Sequence, residues 1–355
     1  MDIGVYKKID KAILDLSLKL EITRYIEAKN LHKEKRNFLK GKIKNPQFIY
    51  RNLRYNPQKA ELILNELNPP SDTIGKIFKN KIKELELKNR FLKNLGNKKI
   101  LIGLSEELYG RPSKLLIKKA KDLLSNLRDR EYITESGLEK ISSWELACDI
   151  KNYLKKLGIK NWSVVRVNKH SASVLAVKRI IKLNKYKKYS KLAVKRLKIH
   201  EINVHVLRGE NGYIQPFKIF VSGLPNYLST EEGIATYMEE KNKVETIQSK
   251  RRFALRAIAV DLVYQGADFR ECFEKINSYC YDDSRCWDIT YRVFRGGGFL
   301  KDHVYLQGYY QIKDYLGNKG KLKDLYIGKI GLDDVSICKK LVADGLLNPP
   351  KYLPK

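Results

Sequence analysis

Ile199-His200-Glu201-Ile202-Asn203-Val204-His205 sets two imidazoles on either side of a carboxylate, in a chain with five histidines in all. Those residue types read as two metal ligands, His200 and His205, with Glu201 between them as general base. A second segment, Ser229-Thr230-Glu231-Glu232-Gly233, offers a further carboxylate, Glu232 lying 27 positions after His205. Two histidines, an intervening glutamate and a distant glutamate are the parts of a zinc peptidase site. Glu231 and Glu232 also suit the first turn of a helix capped by Ser229 or Thr230, so ligation and capping both account for them.

The spacing makes a structural demand. In the common H-E-x-x-H pattern the histidines are four apart and share a helix face. Here they are five apart, which on an ideal helix turns them about 140° from one another. One extra residue in the turn restores the alignment, and π-bulges of that kind concentrate at functional sites. The sequence therefore predicts a distorted turn near Ile202-Asn203-Val204, with Asn203 placed to satisfy backbone groups the distortion frees.

Other elements must hold this turn. Its helix is expected from Tyr189-Ser190 to Gly209, ended by the Asn211-Gly212 turn. Upstream, Ser143 reads as the N-cap of a helix over 144–157. Residues 162–167 and 172–177 read as strands split by an Asn168–Ser171 turn, with 180–183 extending the pairing. His170, in that turn, reads as a surface residue. Downstream, helices are expected over about 246–265, 268–280 and 284–295, followed by the glycine run Gly296-Gly297-Gly298. The first third is helical: 8–30, 57–67, 72–95 and a helix from Pro112 onward, with a break over Gly96–Arg111. His32, in the basic stretch of this part, reads as a surface residue. The expected class is α+β, mostly helical: residues 1–128 a basic helical region, residues 129–355 a zincin-like domain with a small antiparallel sheet packed on the histidine helix.

Composition narrows the classes. No apolar run approaches the roughly 20 residues that span a bilayer. The five cysteines form no CxxC pair or disulfide framework, and no secretory signal is visible, so a cytoplasmic protein with free thiols is expected. The net charge is +31, and residues 1–130 hold 31 basic against 15 acidic residues. Such a field suits an acidic partner, or a lysine-rich solvated surface.

Several blocks together resemble the microtubule-associated tyrosine carboxypeptidase family and its bacterial relatives with a QEGLA motif. They are His200–Leu207, Asn211-Gly212, Gln215-Pro216, Gly223-Leu224-Pro225 and Thr230-Glu231-Glu232-Gly233-Ile234-Ala235. Leu108-Tyr109-Gly110 and Gly298–Gly308 resemble family blocks too, and the first hundred residues carry no resemblance. By this resemblance one zinc ion is held by His200, His205 and Glu232, with Glu201 as catalytic acid/base. It also implies removal of a C-terminal residue, tyrosine or another aromatic, from acidic tails like that of α-tubulin. Glu231 and Ile234 stand where the motif has Gln and Leu. A peptidase needs a second oxyanion donor, for which Tyr305 and His303 are candidates. A carboxypeptidase must also grip a terminal carboxylate, for which Arg295, Arg292 and Lys301 are candidates. The alternatives are a zinc endopeptidase with the same site, and a non-enzymatic protein whose basic helices bind nucleic acid.

Overall fold

Apolar residues three and four apart along residues 73–93 bury Ile74, Ile77, Phe78, Ile82, Leu85, Phe91 and Leu92 along one helix, Thr73–Lys93. The Asp72 carboxylate caps it, accepting from the Gly75 N–H at 2.8 Å. The same periodicity builds most of the chain. The computed structural model describes residues 3–127, 139–168, 172–280 and 282–354. The protein is a mostly helical α+β chain with small sheets, divided into two compact units: residues 1–131 with 247–307, and residues 132–246 with 308–355.

The first unit contains helices Ile3–Lys19, Leu31–Leu39, Pro57–Glu66, Thr73–Lys93, Lys98–Tyr109, Lys114–Asn126, Ile247–Tyr264, Phe269–Cys280 and Asp283–Phe294. The sequence-based helix over 8–30 ends early, at Lys19, and His32 is an exposed residue of the helix after it. The expected break over Gly96–Arg111 holds a helix instead. Asn97 caps its start and Gly110, at φ 72°, stops it, so the glycine signals mark its ends. Phe38 forms the centre of an aromatic core, its ring 4.9–5.1 Å from those of Phe269, Phe273 and Trp287. The glycine run is a packing device. Gly96 N–H donates to the Gly296 carbonyl at 2.7 Å, and a Cβ on Gly297 would stand 3.0 Å from Gly96 backbone atoms.

Residues 247–307 group with the N-terminal helices, which differs from a single domain over 129–355. The Arg251 guanidinium shows why. It is buried and donates to the carbonyls of Leu124, Leu127 and Tyr279, closing the ends of three helices around one cation. Long-range contacts of that kind leave no local trace in sequence.

In the second unit, helix Ser143–Lys156 is capped one residue earlier than expected, by a reciprocal Ser142–Glu145 capping box. Strands Ser163–Val167, Ser173–Leu175 and Ile180–Asn184 form one sheet in the order first, third, second. The expected hairpin between the first two strands is replaced. The second and third pair antiparallel, joined by a tight turn at Ala176–Lys178 and Arg179 at φ 51°, while the first joins the third in parallel. Glu210 holds that turn by accepting from Arg179 Nε at 2.7 Å. A further antiparallel pair joins Lys140–Ile141 to Tyr189–Ser190. The unit also contains helices Lys191–Leu197, Leu207–Ile214, Ile219–Ser222, Tyr227–Lys241 and Val335–Ala343, and residues 308–317 of helix Val304–Gly317. Among the described residues, no helix is long and apolar enough to cross a membrane.

Candidate metal centre

Ser190 opens the histidine-bearing rod, its hydroxyl accepting from the Ala193 N–H at 3.2 Å. The rod begins as an α-helix over Lys191–Leu197, becomes a π-helix over Lys198–Val206 and returns to α over Leu207–Ile214. The distortion expected near 202–204 therefore extends over nine residues. In a π-helix hydrogen bonds run from i to i+5, so residues five apart come into line. The rings of His200 and His205 accordingly stand 5.1 Å apart, centre to centre.

Widening a helix frees backbone groups, and buried ones need partners. The buried Tyr326 hydroxyl supplies one, donating to the Asn203 carbonyl at 2.9 Å. The Asn203 side chain, expected to do this, instead accepts from the Tyr153 hydroxyl at 2.8 Å. The rod also runs past Gly209 and Asn211-Gly212, where a stop was expected. Asn211 and Gln215 pin the C-terminal segment there. Asn211 Oδ1 accepts from the Lys351 and Tyr352 N–H groups at 2.9 Å, and Gln215 Nε2 donates to the Ile327 carbonyl at 2.7 Å.

Helix Tyr227–Lys241 brings the carboxylates. It begins after Asn226, which is left-handed at φ 60°, so Ser229 and Thr230 are not its caps. Glu231 and Glu232 lie beyond the first turn, and capping does not account for them. Thr230 Oγ1 accepts instead from the Leu332 N–H at 2.9 Å. The helix lies very close to helix Val304–Gly317, where Gly233 and Gly308 meet backbone to backbone.

His200, His205 and Glu232 each present a ligand-type atom within 4.8 Å of the others. Glu232 Oε2 is 3.6 Å from His200 Nε2, beyond ordinary hydrogen-bond length. Two donors held 2.0–2.2 Å from one tetrahedral zinc would stand roughly 3.4 Å apart. On their outer sides both imidazoles meet buried carboxylates: His200 Nδ1 is 2.7 Å from Glu239 Oε1, and His205 Nδ1 is 3.2 Å from Glu231 Oε2. Burial disfavours charge on His200, but the carboxylates of Glu232, Glu239 and Glu201 outweigh it and raise its pKa well above the ordinary value. Burial likewise opposes ionisation of Glu231, and Lys329, His205 and Arg208 overcome that, keeping it strongly acidic. Two imidazole nitrogens and a carboxylate oxygen, all within 4.8 Å of one another, are a donor set that fits zinc.

The remaining sequence candidates lie in the first unit. Arg295 is buried and donates to Glu27 Oε1 at 2.9 Å. Arg292 makes a two-pronged contact to Asp302, one prong at 3.0 Å from NH2 to Oδ1. Both guanidinium groups are thus held by carboxylates of the protein, which corrects their reading as open forks for a terminal carboxylate. His303 is fully buried, its Nε2 3.1 Å from the Tyr109 carbonyl, and burial pushes its pKa down to about 4. Tyr305 stacks on Phe253 at 5.2 Å, and Lys301 lies 5.8 Å from the Tyr305 and Phe299 ring centres. His170 lies outside the described residues. Arg256, not singled out from the sequence, lies 3.6 Å from Asp302 and over the Tyr305 ring.

Asp302 thereby faces two arginines while fully buried. Asp302→Asn should destabilise the protein by about 3 kcal/mol, because removing one partner of a buried pair strands the others. Burial raises the Asp302 pKa, but Arg292 and Arg256 outweigh it and hold the group far below its unfolded value. Its contribution is thus present above the unfolded value near 4 and is lost as pH falls below that. Urea melts at pH 7 and over pH 5 to 2 measure both effects: the wild type should lose stability with acid more steeply than the variant.

The sequence missed Glu239, Arg196, Lys329, Arg208 and Tyr326. Glu239 lies seven residues, two helical turns, after Glu232, so it shares that ligand's stripe and was recoverable from spacing. Tyr326 carried no local signal, since its role depends on a fold contact to residue 203.

The fold and site define a helical α+β protein whose π-helical turn gathers two histidines and a glutamate. The family model described as Microtubule-associated tyrosine carboxypeptidase matches residues 36–355, and the chain belongs to this family. The match extends well upstream of the blocks in which the resemblance was legible. The mouse protein named "Putative tyrosine carboxypeptidase MATCAP2" is 25% identical over 94% of this chain and 59% of its own length. The rat protein named "Microtubule-associated tyrosine carboxypeptidase 1" is 27% identical over 56% of this chain and 44% of its own. The chain thus spans less than two thirds of these relatives. Among solved structures, a Colwellia psychrerythraea protein titled "putative lipoprotein" covers 82% of this chain and 64% of its own at 14% identity, with a TM-score of 0.49 too low to support an argument.

Proposed function

We propose that the chain is a zinc-dependent carboxypeptidase that removes a C-terminal residue, tyrosine or another aromatic, from peptides or proteins with acidic tails. The observation that carries this reading is the convergence of His200, His205 and Glu232 on one point, made possible by the π-helical turn. Glu201, half-buried between the histidines, is the proton carrier of the proposal. The family name supports cleavage at a C-terminal tyrosine. A net charge of +31 favours acidic tails.

His200, His205 and Glu232 would hold the zinc. When bound, zinc supplies Lewis acidity, lowering the pKa of water in the site to about 7 and polarising the scissile carbonyl. Glu201 accepts the proton of the attacking water and returns it to the departing amine, the two halves of general acid–base catalysis. Tyr326 and Tyr153 hold the widened turn, keeping the histidines in line while Glu201 changes protonation state.

The test is metal analysis of the purified chain, followed by mass spectrometry of an acidic peptide ending in free tyrosine and of its C-terminally amidated twin. One zinc per chain, and loss of tyrosine from the free acid alone, is the expected result. Internal cleavage of the amidated peptide would replace the proposal with an endopeptidase. Absence of zinc and of cleavage, with salt-sensitive binding to generic DNA, would replace it with a nucleic-acid-binding role.

A further inference from the structure

Two buried carboxylates stand behind the histidines and have no part in the chemistry above. Glu239, 1% exposed, meets His200 Nδ1 through Oε1 at 2.7 Å, and its Oε2 accepts from Arg196 Nε at 2.7 Å. Glu231, 2% exposed, meets His205 Nδ1 through Oε2 at 3.2 Å. Its oxygens also face Lys329 Nζ at 3.0 Å and Arg208 NH1 at 3.4 Å. Each carboxylate therefore has a basic group at the oxygen its imidazole does not meet, Arg196 at Glu239 Oε2 and Arg208 at Glu231 Oε1, while Lys329 shares Glu231 Oε2 with His205. With Arg196 donating to one oxygen, Glu239 acts as an acceptor at both, and the hydrogen in the 2.7 Å contact belongs to His200 Nδ1. That assignment leaves Nε2 of His200, on the side of Glu232, as the nitrogen that would give up its proton to a metal.

We infer that Glu239, braced by Arg196, is a positioning residue that fixes the tautomer and ring direction of His200, and that Glu231, braced by Lys329 and Arg208, does the same for His205. The inference rests on the metal reading proposed above and deepens it. Helix Tyr227–Lys241 then supplies three groups to the centre: the ligand Glu232 and the two carboxylates behind the histidines. The spacing makes this possible. Glu232 and Glu239 lie two turns apart and both face His200, while Glu231, one residue earlier, is rotated toward His205. The basic groups come from elsewhere in the unit, Arg196 from the α-helical start of the histidine rod and Lys329 from the segment that follows Tyr326.

A carboxylate that orients a metal-binding imidazole typically changes metal affinity about 10- to 100-fold when removed. The experiment compares wild type, Glu239→Gln and Glu239→Ala as full-length chains. Zinc affinity is read by competition with a chromophoric chelator, the visible spectrum is read with cobalt(II) in place of zinc, and thermal melting checks the fold. Glu239→Gln keeps an acceptor for Nδ1 and should lose about 10-fold in affinity with a near-normal cobalt spectrum. Glu239→Ala should lose about 100-fold and show an altered spectrum. If the alanine variant does not fold, the glutamine variant decides alone. Wild-type affinity in either folded variant overturns the positioning role and leaves the metal centre standing. A wild type that takes up neither metal overturns the proposed function, and the inference with it.

Discussion

Glu201→Gln should lower kcat by about 10²- to 10⁴-fold while zinc remains bound at one per chain. That range corresponds to about 3–5.5 kcal/mol of transition-state stabilisation. Glutamine keeps the size of the side chain and its acceptor oxygen but cannot carry a proton between water and amine. The side chain is half-buried in the π-helical turn, next to His200 and four residues before His205. Replacing it therefore removes the proposed proton carrier without removing His200, His205 or Glu232, whose ligand-type atoms lie within 4.8 Å of one another. Substrate affinity should change little, because the loss falls in the chemical step. Turnover and inhibitor binding are measured on the same zinc-loaded preparation. Unchanged kcat would remove Glu201 from the mechanism, and lost zinc would make it a structural support for the centre.

The clustering of His200, His205 and Glu232 was legible in sequence because few residue types suit such a site and their spacing carried a geometric contradiction. Histidines five apart cannot meet on an α-helix, and the π-helix that resolves the conflict is in the structure. Glu232 was separable from Glu231 only by resemblance. The structure gives the physical difference: Glu231 faces Lys329 and Arg208, whereas Glu232 points toward His200 Nε2. What escaped sequence reasoning was non-local. The strand order depends on Arg179 turning the chain at φ 51°, a conformation that an arginine does not advertise. The grouping of residues 247–307 with the N-terminal helices depends on contacts such as Arg251 to Leu124. The arginines expected to face substrate proved to face Glu27 and Asp302, because a buried guanidinium selects a carboxylate wherever the fold offers one.

Gly233→Ala should disable the centre through packing alone. Gly233 directly follows Glu232, and a Cβ there would lie 2.3 Å from the carbonyl carbon and oxygen of Gly308. The opposing atoms are backbone, so no side-chain rotation relieves the clash. The reverse contact is tighter still, a Cβ on Gly308 falling 1.9 Å from the Ser229 carbonyl oxygen. One helix must shift by about 1 Å to restore van der Waals distance. Overpacking of that kind costs about 1–3 kcal/mol of stability. The larger effect falls on function. The shifted helix carries Glu232, Glu231 and Glu239, and a misplacement of about 1 Å at reacting groups costs on the order of 10²-fold in rate. Gly317→Ala is the matched control, since nothing lies within 4 Å of a Cβ at that end of the partner helix. Melting temperature, zinc retention on dialysis and turnover of the acidic tyrosine-ending peptide should all fall for Gly233→Ala and stay near wild type for Gly317→Ala. Wild-type zinc retention and turnover in Gly233→Ala would mean that the close Gly233–Gly308 crossing is not what holds Glu232 against the histidines.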